Sequence, residues 1–216
     1  MNPRSLRHRC RARRGFTLIE LVAVIAIVGL LAALLIPTLD AARASAHRAK
    51  TRIRFHQWAA AIEAFRQEYG CYPIFDASAL VNGGVGEDAH PFYDVLAGRR
   101  RNGTQLVDTG PASAAAQNPR RIAFLGVAES DFTPADSPVP GLLQDAFGQT
   151  EIAVLVDRNL DGRVDEADYP EGWPQVAGLQ PGPDDLGAEG VRAGVIFYAP
   201  APGATADDPR FIFSWK

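Results

Sequence analysis

The stretch that decides the fold is RGFTLIE, residues 14–20, which is followed by sixteen uncharged residues from Leu21 to Ile36. Glu20 carries the only charge in the 24 residues between Phe16 and Leu39. A helix of that length spans about 36 Å, more than the hydrocarbon core of a bilayer at about 30 Å. A carboxylate in such a segment costs about 2.5–3.5 kcal/mol on insertion, so its presence predicts a partner and a function.

Residues 1–15 form a basic leader. They contain six arginines and no acidic residue, which predicts that this end stays in the cytoplasm while the apolar run enters the membrane. An ordinary secretory signal peptide fits less well, because its apolar region is about 7–15 residues long, uncharged, and followed by small residues at the cleavage site. Here residues 35–39 read LIPTL, which is too bulky. A plain single-pass anchor is the other alternative, and it leaves Glu20 without a role.

The junction RGFTLIELV, residues 14–22, resembles the class III leader junction of type IV pilins and type II secretion pseudopilins. The shared features are a basic leader, a glycine before a phenylalanine, a glutamate four residues further on and a long apolar run. The resemblance implies that a membrane-embedded aspartyl prepilin peptidase cuts between Gly15 and Phe16 and then methylates the amine of Phe16. The chain would be the substrate of that enzyme and would perform no catalysis itself.

Two partners are open to Glu20 after such a cut, which creates a cationic amine on Phe16 where an unpaired carboxylate is costly. Within one helix the two groups are four residues apart and can pair. In an assembly, a neighbour shifted by about 6 Å brings its own amine level with Glu20. The resemblance implies the second arrangement, which draws each subunit into register.

Gly29 and Pro37 also match this family, in which the stretch between them can lose helical structure on assembly; a simple kink is the alternative.

One long helix is predicted from Phe16 to about Tyr69, with a length of about 80 Å. Residues 16–39 are apolar all round and form its transmembrane half. Residues 40–69 form an amphipathic half, because large apolar residues recur there at steps of three and four. These residues are Phe55, Trp58, Ile62, Phe65 and Tyr69. Gly70 predicts the end of the helix. Packing on the chain's own head is favoured over a coiled coil, because the stripe covers only two heptads.

Residues 70–216 predict one globular head with a small antiparallel sheet. The strand candidates are short apolar runs at 122–125, 152–156, 195–198 and 211–215. In the last run Phe211, Phe213 and Trp215 alternate with other residues, which predicts a sheet with one face packed on the helix. The expected fold class is therefore α+β. A long N-terminal helix packs on an antiparallel head, which is the pilin fold that the resemblance implies.

Segments of the head resemble the major pseudopilins of type II secretion. DAFGQT, residues 145–150, is similar to the D-P-W-G-x-P turn of that family, although Ala146 and Thr150 stand where prolines are usual. FSW at 213–215 resembles the terminal strand of the same family, and NPRRIAFL at 118–125 is similar to a stretch of larger bacterial members. The resemblance is strong over residues 10–70 and patchy beyond them.

Charge and cysteine content restrict the function further. The chain has a net charge of −3, and removing the six leader arginines leaves 16 basic against 25 acidic residues, a net charge of −9. An acidic head disfavours nucleic-acid binding, which needs clustered Lys and Arg.

Cys10 leaves with the leader, so Cys71, expected to be partly buried, has no intramolecular disulfide partner. Metalloprotease, serine-hydrolase and phosphate-loop motifs do not occur, so no catalytic site is predicted.

Residues 157–168, DRNLDGRVDEAD, follow the spacing of a calcium-binding loop. Side-chain oxygens fall at loop positions 1, 3, 5, 9 and 12, with glycine at position 6 and a backbone carbonyl at position 7. The candidate Ca²⁺ ligands are Asp157, Asn159, Asp161, Arg163 through its carbonyl, Asp165 and Asp168. Such a site would be structural, because a predicted strand and a proline flank it instead of two helices. An acidic turn that needs no metal is the alternative.

The sequence thus predicts a structural subunit of a periplasmic pseudopilus that drives substrates through a type II secretion channel. The resemblance implies its partners: further copies of itself, other pseudopilins, prepilin peptidase, an inner-membrane assembly platform and a cytoplasmic ATPase. The expected location is the bacterial inner membrane, crossed once, with the head in the periplasm. The alternatives are a major or minor type IV pilus subunit and a membrane-tethered periplasmic binding module that keeps its leader.

Overall fold

A computed structural model describes residues 16–86, 89–107, 110–187 and 189–216. Its longest element is helix α1 (Leu18–Tyr69), in agreement with the helix predicted from the sequence. The helix ends where Gly70 adopts a φ of 76° and donates its N–H to the carbonyl of Arg66 at 2.7 Å. Glycine reaches this left-handed conformation without steric cost, so the predicted helix end at Gly70 is confirmed.

The chain forms two compact units, which divide α1 between Ser45 and Ala46. In the first unit the apolar side chains are exposed along the helix, with Leu18 at 82% and Leu30 at 65%. A window of 18 residues in α1 has a mean hydropathy of 2.9, and none of that window is buried. Within the described residues, α1 is the one helix long and apolar enough to cross a membrane, as the sequence predicted.

In the second unit α1 presents a buried stripe on one side. Phe55 and Ile62 are completely buried, and Trp58 and Phe65 are nearly so. Side chains on the other side of the same turns, such as Arg52, are exposed to solvent. Burial of a large apolar side chain contributes about 1.5–3 kcal/mol, so this stripe supplies much of the contact between α1 and the head. The predicted amphipathic half-helix is confirmed.

The sheet has three antiparallel strands in the order β1-β2-β3. Strand β1 (Ala153–Val156) pairs with β2 (Val195–Pro200), and β2 pairs with β3 (Phe211–Phe213). The register places Val156 opposite Val195 in the first pair and Pro200 opposite Phe211 in the second. A long helix with a small antiparallel sheet confirms the α+β class and is consistent with the pilin fold.

Both faces of this sheet are buried, and one of them packs on α1 as predicted. Phe197 and Ile212 face the apolar stripe of α1 and belong to the larger core cluster. Tyr198 and Phe213 point to the opposite face, where they meet a second apolar cluster. The aromatic residues of β3 therefore pack away from α1. The second cluster is covered by the loops that follow β1, including Val164, Val176 and Leu186.

The fourth predicted strand, at residues 122–125, is not a strand. The side chain of Asn118 binds this segment instead, accepting the N–H of Ile122 at 2.9 Å and donating to its carbonyl at 2.8 Å. The N–H groups of Phe124 and Leu125 both donate to the carbonyl of Leu96. The backbone groups of this apolar run are therefore bound by one asparagine side chain and one carbonyl. The run has the sequence pattern of a strand, but it does not pair with a neighbouring strand.

Four short elements position the loops of the head. Helices α2 (Pro91–Ala97), α3 (Ala114–Gln117) and α4 (Pro183–Leu186) are accompanied by a 3-10 helix at Glu129–Asp131. Helix α2 begins at His90, whose Nδ1 accepts the N–H of Tyr93 at 3.3 Å. Each element has two turns or fewer, so the period of apolar residues is too short to predict it.

Cys71 follows directly after Gly70 and is exposed, whereas partial burial was expected. The last fully buried side chain of the stripe is Phe65, and Cys71 lies beyond it. Cys10 lies outside the described residues.

Candidate functional site

The predicted processing junction lies at the start of α1. Phe16 is 79% exposed, and Gly15 is outside the described residues. Glu20 Oε2 accepts the backbone N–H of Thr17 at 2.9 Å and its hydroxyl at 2.8 Å, while Thr17 Oγ1 accepts the N–H of Glu20 at 3.3 Å. This reciprocal pair is a capping box, which satisfies donors that the first helical turn leaves unpaired. In the uncleaved chain, Glu20 therefore orders the helix start, and the predicted pairing with an amine of Phe16 stays a prediction.

Helix α1 continues without interruption through positions 29 and 37. A β-carbon built on Gly29 would meet no atom within 4 Å, so nothing inside the single chain requires a glycine there. The predicted loss of helical structure between Gly29 and Pro37 concerns an assembled state and stays a prediction.

The DAFGQT segment forms a turn that is attached to α1. The carboxylate of Asp145 accepts the N–H groups of Phe147 at 2.7 Å and of Gln149 at 2.8 Å through Oδ1. Its Oδ2 accepts the hydroxyl of Thr51 at 3.3 Å, and Thr51 Oγ1 accepts the N–H of Ala146 at 3.2 Å. Burial raises the pKa of the Asp145 carboxyl above its usual value, against these hydrogen bonds. One buried carboxylate thus shapes the turn and links it to the helix.

Arg54, one turn after Thr51 and almost completely buried, adds a second polar contact to this region. Its guanidinium donates to the carbonyl of Gln144 and forms an ion pair with Asp131 in the 3-10 helix. An arginine can be buried at such a position because each of its two terminal nitrogens donates to an oxygen. Polar side chains of α1 therefore bind two segments of the head, the DAFGQT region and the 3-10 helix, in addition to the contacts that the apolar stripe makes.

The acidic loop, residues 157–171, begins directly after β1. Asp157 is buried and accepts the N–H groups of Asp161 at 3.1 Å and Gly162 at 2.8 Å. Asn159 Oδ1 also accepts the N–H of Asp161 at 2.9 Å, and Asp161 Oδ1 accepts that of Arg163 at 2.9 Å. Gly162 has a φ of 89°, which supplies the sharp turn that the loop spacing requires. The first half of the predicted ligand set is therefore folded around one turn.

Hydrogen bonds to Asp168, which is also buried, stabilise the second half of the loop. Its Oδ1 accepts the N–H groups of Arg158 at 2.8 Å and Asn159 at 3.0 Å, and its Oδ2 accepts that of Asp165 at 3.2 Å. Arg163 forms an ion pair with Glu189 at 3.1 Å. The structure thus brings both ends of the predicted loop together through Asp168.

Within the ranges that the structure describes, no group of three or more His, Cys, Asp or Glu side chains is arranged to hold a metal ion. The carboxylates of the loop accept backbone N–H groups, although each carboxylate can accept about four hydrogen bonds or metal contacts. Calcium binding by residues 157–168 therefore stays a prediction.

Thr17, Thr51 and Arg54 are the residues that the sequence did not single out. Thr17 had a recognisable signal, since threonine three residues before glutamate at the start of an apolar run is the capping-box pattern. Thr51 and Arg54 had no comparable signal, because their partners, Asp145 and Asp131, are 94 and 77 residues away in the chain. Contacts over such separations depend on the tertiary fold.

Residues 10–36 match the family model described as the prokaryotic N-terminal methylation motif. No curated protein matches the chain, and no solved structure matches it. The matched segment contains the predicted cleavage site and Glu20, and it covers the end of the leader and the apolar run as far as Ile36. The chain therefore carries a type IV prepilin-like signal, which marks a substrate of prepilin peptidase and a pilin-like subunit. This motif is structural, and it is not the signature of an enzyme.

Proposed function

We propose that this protein is a structural subunit of a periplasmic pseudopilus in a type II secretion system. The observation that carries the proposal is the methylation motif at residues 10–36, which opens a helix with exposed apolar side chains and a single carboxylate, Glu20. An apolar helix that buries nothing within its own chain needs a lipid or protein environment. A polymer whose core is made of such helices provides that environment after the subunit leaves the membrane.

Two features of the head favour a pseudopilus over a pilus. The DAFGQT turn resembles that of the major pseudopilins, and its Asp145 and Thr51 join it to the half of α1 that packs on the head. The aromatic segment FSW at 213–215, which begins at the last residue of β3, also resembles a strand of that family. The resemblance at both places is partial, so a major or minor type IV pilus subunit is the second candidate.

The proposal includes a location and a set of partners. After cleavage the apolar half of α1 is anchored in the inner membrane and the head faces the periplasm, since the basic leader is retained in the cytoplasm. Prepilin peptidase removes the leader, and an assembly platform with its ATPase adds the subunit to further copies and to other pseudopilins. We expect the mature protein not to bind nucleic acid, because its net charge is −9, the difference between 16 basic and 25 acidic residues.

Mass spectrometry of the exported protein tests the first step. We expect the mature chain to begin at Phe16 with a methylated amine, and we expect Gly15→Val to leave the leader attached. Lys50→Glu, at an exposed position of α1, is the matched control and should be processed normally. Recovery of the native protein with Met1 or the leader still present would overturn the proposal and favour a membrane-tethered binding module.

The phenotype of a deletion strain separates a pseudopilus from a pilus. We expect proteins that are normally exported across the outer membrane to accumulate in the periplasm, with twitching motility and DNA uptake unchanged. Complementation with the full chain should restore secretion. Normal secretion together with a loss of twitching or DNA uptake would assign the protein to a type IV pilus instead.

We also propose that residues 157–168 bind one structural Ca²⁺. An all-oxygen set from Asp157, Asn159, Asp161, Asp165 and Asp168, with the carbonyl of Arg163, suits this cation and does not suit softer metals. Its contribution would be to neutralise carboxylates, two of which are buried in the loop. Calorimetric titration of the purified full chain in detergent should show binding below about millimolar Ca²⁺. Asp157→Asn should weaken it, whereas Asp136→Asn should not, and no binding at millimolar Ca²⁺ would refute the site.

A further inference from the structure

We propose that a basic cleft beside β3 binds the acidic loop of a second copy of this chain. The basic cleft is lined by Arg48 and Arg52 of α1 and by Pro209, Arg210 and Ile212, and it has a volume of about 380 Å³. This inference rests on the proposed polymer, since it specifies how two heads in that polymer contact each other.

The basic cleft carries positive charge that the chain itself does not neutralise. Arg48 and Arg52 lie one turn apart on α1, are exposed, and form no ion pair or hydrogen bond with any side chain among the residues that the structure describes. Arg210 is paired with Asp208 at 3.0 Å and donates to the carbonyl of Gly203 at 3.0 Å. Asp185, the acid at the rim of the cleft, is already paired with Lys216 at 2.9 Å. Two such guanidiniums in a mature chain of net charge −9 predict an acidic partner.

The acidic loop supplies the complementary charge. Glu166 and Glu171 are exposed, and the side chain of neither forms an ion pair or hydrogen bond within the described part of the chain. They lie outside the predicted ligand set for calcium, so their carboxylates are available to a partner in either metal state. The loop as a whole adds Asp157, Asp161, Asp165 and Asp168 to the same region, while its arginines are engaged within the head.

The topology separates the two surfaces within one head. The acidic loop leaves β1 after Val156, which is opposite Val195 at the beginning of β2. Arg210 precedes Phe211, which is opposite Pro200 at the end of β2. The two surfaces therefore start from opposite ends of the central strand. A contact between two different surfaces on successive copies is heterologous, and repeated heterologous contacts build an open helical polymer.

The magnitude of this contact indicates its role. Exposed ion pairs contribute about 0.2–1 kcal/mol each, far less than burial of the apolar half of α1 would contribute. Opposite charges on two matching surfaces mainly select orientation and exclude wrong arrangements. We therefore assign the basic cleft to fixing how each head is rotated relative to the next one.

Cross-linking of the full chain tests the contact directly. The double variant Arg48→Lys/Arg52→Lys keeps the charge and introduces amines that a carbodiimide joins to carboxylates in direct contact. Isotopically heavy and light copies are co-assembled in membranes and treated, and the peptides are sequenced by mass spectrometry. We expect heavy–light links from position 48 or 52 to Glu166 or Glu171.

Charge reversal supplies the matched controls. Arg48→Glu/Arg52→Glu and Glu166→Arg/Glu171→Arg should each lower the proportion of multimers held by head contacts by about tenfold, and combining all four changes should restore it. Lys50→Glu and Asp136→Arg, at exposed positions outside the two surfaces, should have no effect. The wild-type contact should weaken as ionic strength rises from about 0.05 M to about 0.5 M.

Three outcomes are distinguishable. Links between the two named surfaces, with rescue by the combined variant, support the proposal. Polymers that form normally without these links overturn the cleft while leaving the proposed function intact. A chain that keeps its leader and forms no polymer overturns both.

Discussion

Helix α1 has two halves that differ in where their partners are. Up to Ser45 its apolar side chains are exposed, including Val22, the least exposed of the large ones in this half at 49%. After Ala46 the large apolar side chains of the stripe, Phe55 and Ile62 among them, are completely buried in the head. The apolar side chains of the second half are therefore covered by the head of the same chain. Those of the first half require a membrane or other subunits to cover them. Substitutions in the two halves should consequently be detected by different measurements.

The largest effect is expected from Glu20→Ala, measured as multimers recovered from membranes. Loss of one member of a buried charge pair costs about 3–5 kcal/mol, which corresponds to a decrease of about two to four orders of magnitude in subunit association. Cleavage after Gly15 should remain intact, because the residues on either side of the cut are unchanged. Asp40→Ala is the matched control, since Asp40 is exposed and its contact with Arg43 is long, at 3.8 Å. Normal assembly of Glu20→Ala after normal cleavage would remove the proposed register mechanism.

Phe55→Ala tests the other half of the comparison. Phe55 is buried against Phe197 with ring centroids 5.6 Å apart, so its truncation should lower the free energy of unfolding of the head by about 3–5 kcal/mol. Leu30→Ala, at a side chain that is 65% exposed, should change it by less than about 0.5 kcal/mol. Urea unfolding of the full chain in detergent, followed by tryptophan fluorescence, measures both variants. Equal effects would show that the two halves do not differ in this way.

The difference between the halves also explains what could be predicted from the sequence. The motif at residues 14–20 and the stripe from Phe55 to Phe65 are local patterns. The motif is informative because a charge in lipid is costly, and the stripe is informative because its spacing matches one face of a helix. They were sufficient for α1, its end at Gly70 and the α+β class. Strands β1 to β3 were found because each is a short run of apolar residues between turns.

The errors came from residues whose role depends on distant partners. Residues 122–125 have the pattern of a strand, but Asn118 and the carbonyl of Leu96 satisfy their backbone groups. The alternation in β3 predicted one face packed on α1, but it carried no sign that the loops after β1 bury the other face. The role of His90, which is buried and caps α2, was also not predicted.

His90 tests whether the interior of the head is closed to water. Burial lowers the pKa of His90 to about 4, from a usual value near 6.5. The unfolded chain therefore binds a proton more readily, and stability that is fully present above pH 6.5 is lost as the pH falls toward 4. Between about pH 7 and pH 4.5 the loss from this residue should reach about 2–3 kcal/mol.

The variant His90→Asn isolates that contribution. Asparagine can still cap α2 but does not titrate, so the variant should be less stable than the wild type at pH 7, where the contact of His90 Nε2 with Asn82 at 3.1 Å is lost. The difference between the two proteins should shrink as the pH falls. Parallel pH profiles of unfolding for the two proteins would show that His90 is accessible to solvent in the folded head.

The smallest effect is expected from one threonine change made in each half of α1. Thr51→Val removes a hydroxyl that donates to the buried Asp145 at 3.3 Å and accepts the N–H of Ala146 at 3.2 Å, so the head should lose about 1–2 kcal/mol of stability. Thr38→Val is the matched change in the exposed half, where the hydroxyl donates only to the carbonyl of Leu35, at 2.8 Å. Because that carbonyl belongs to the same helix, and no head contact is removed, unfolding of the head should be unchanged within about 0.5 kcal/mol. A comparable loss in both variants would mean that the stability of α1 itself, and not its attachment to the DAFGQT turn, controls unfolding of the head.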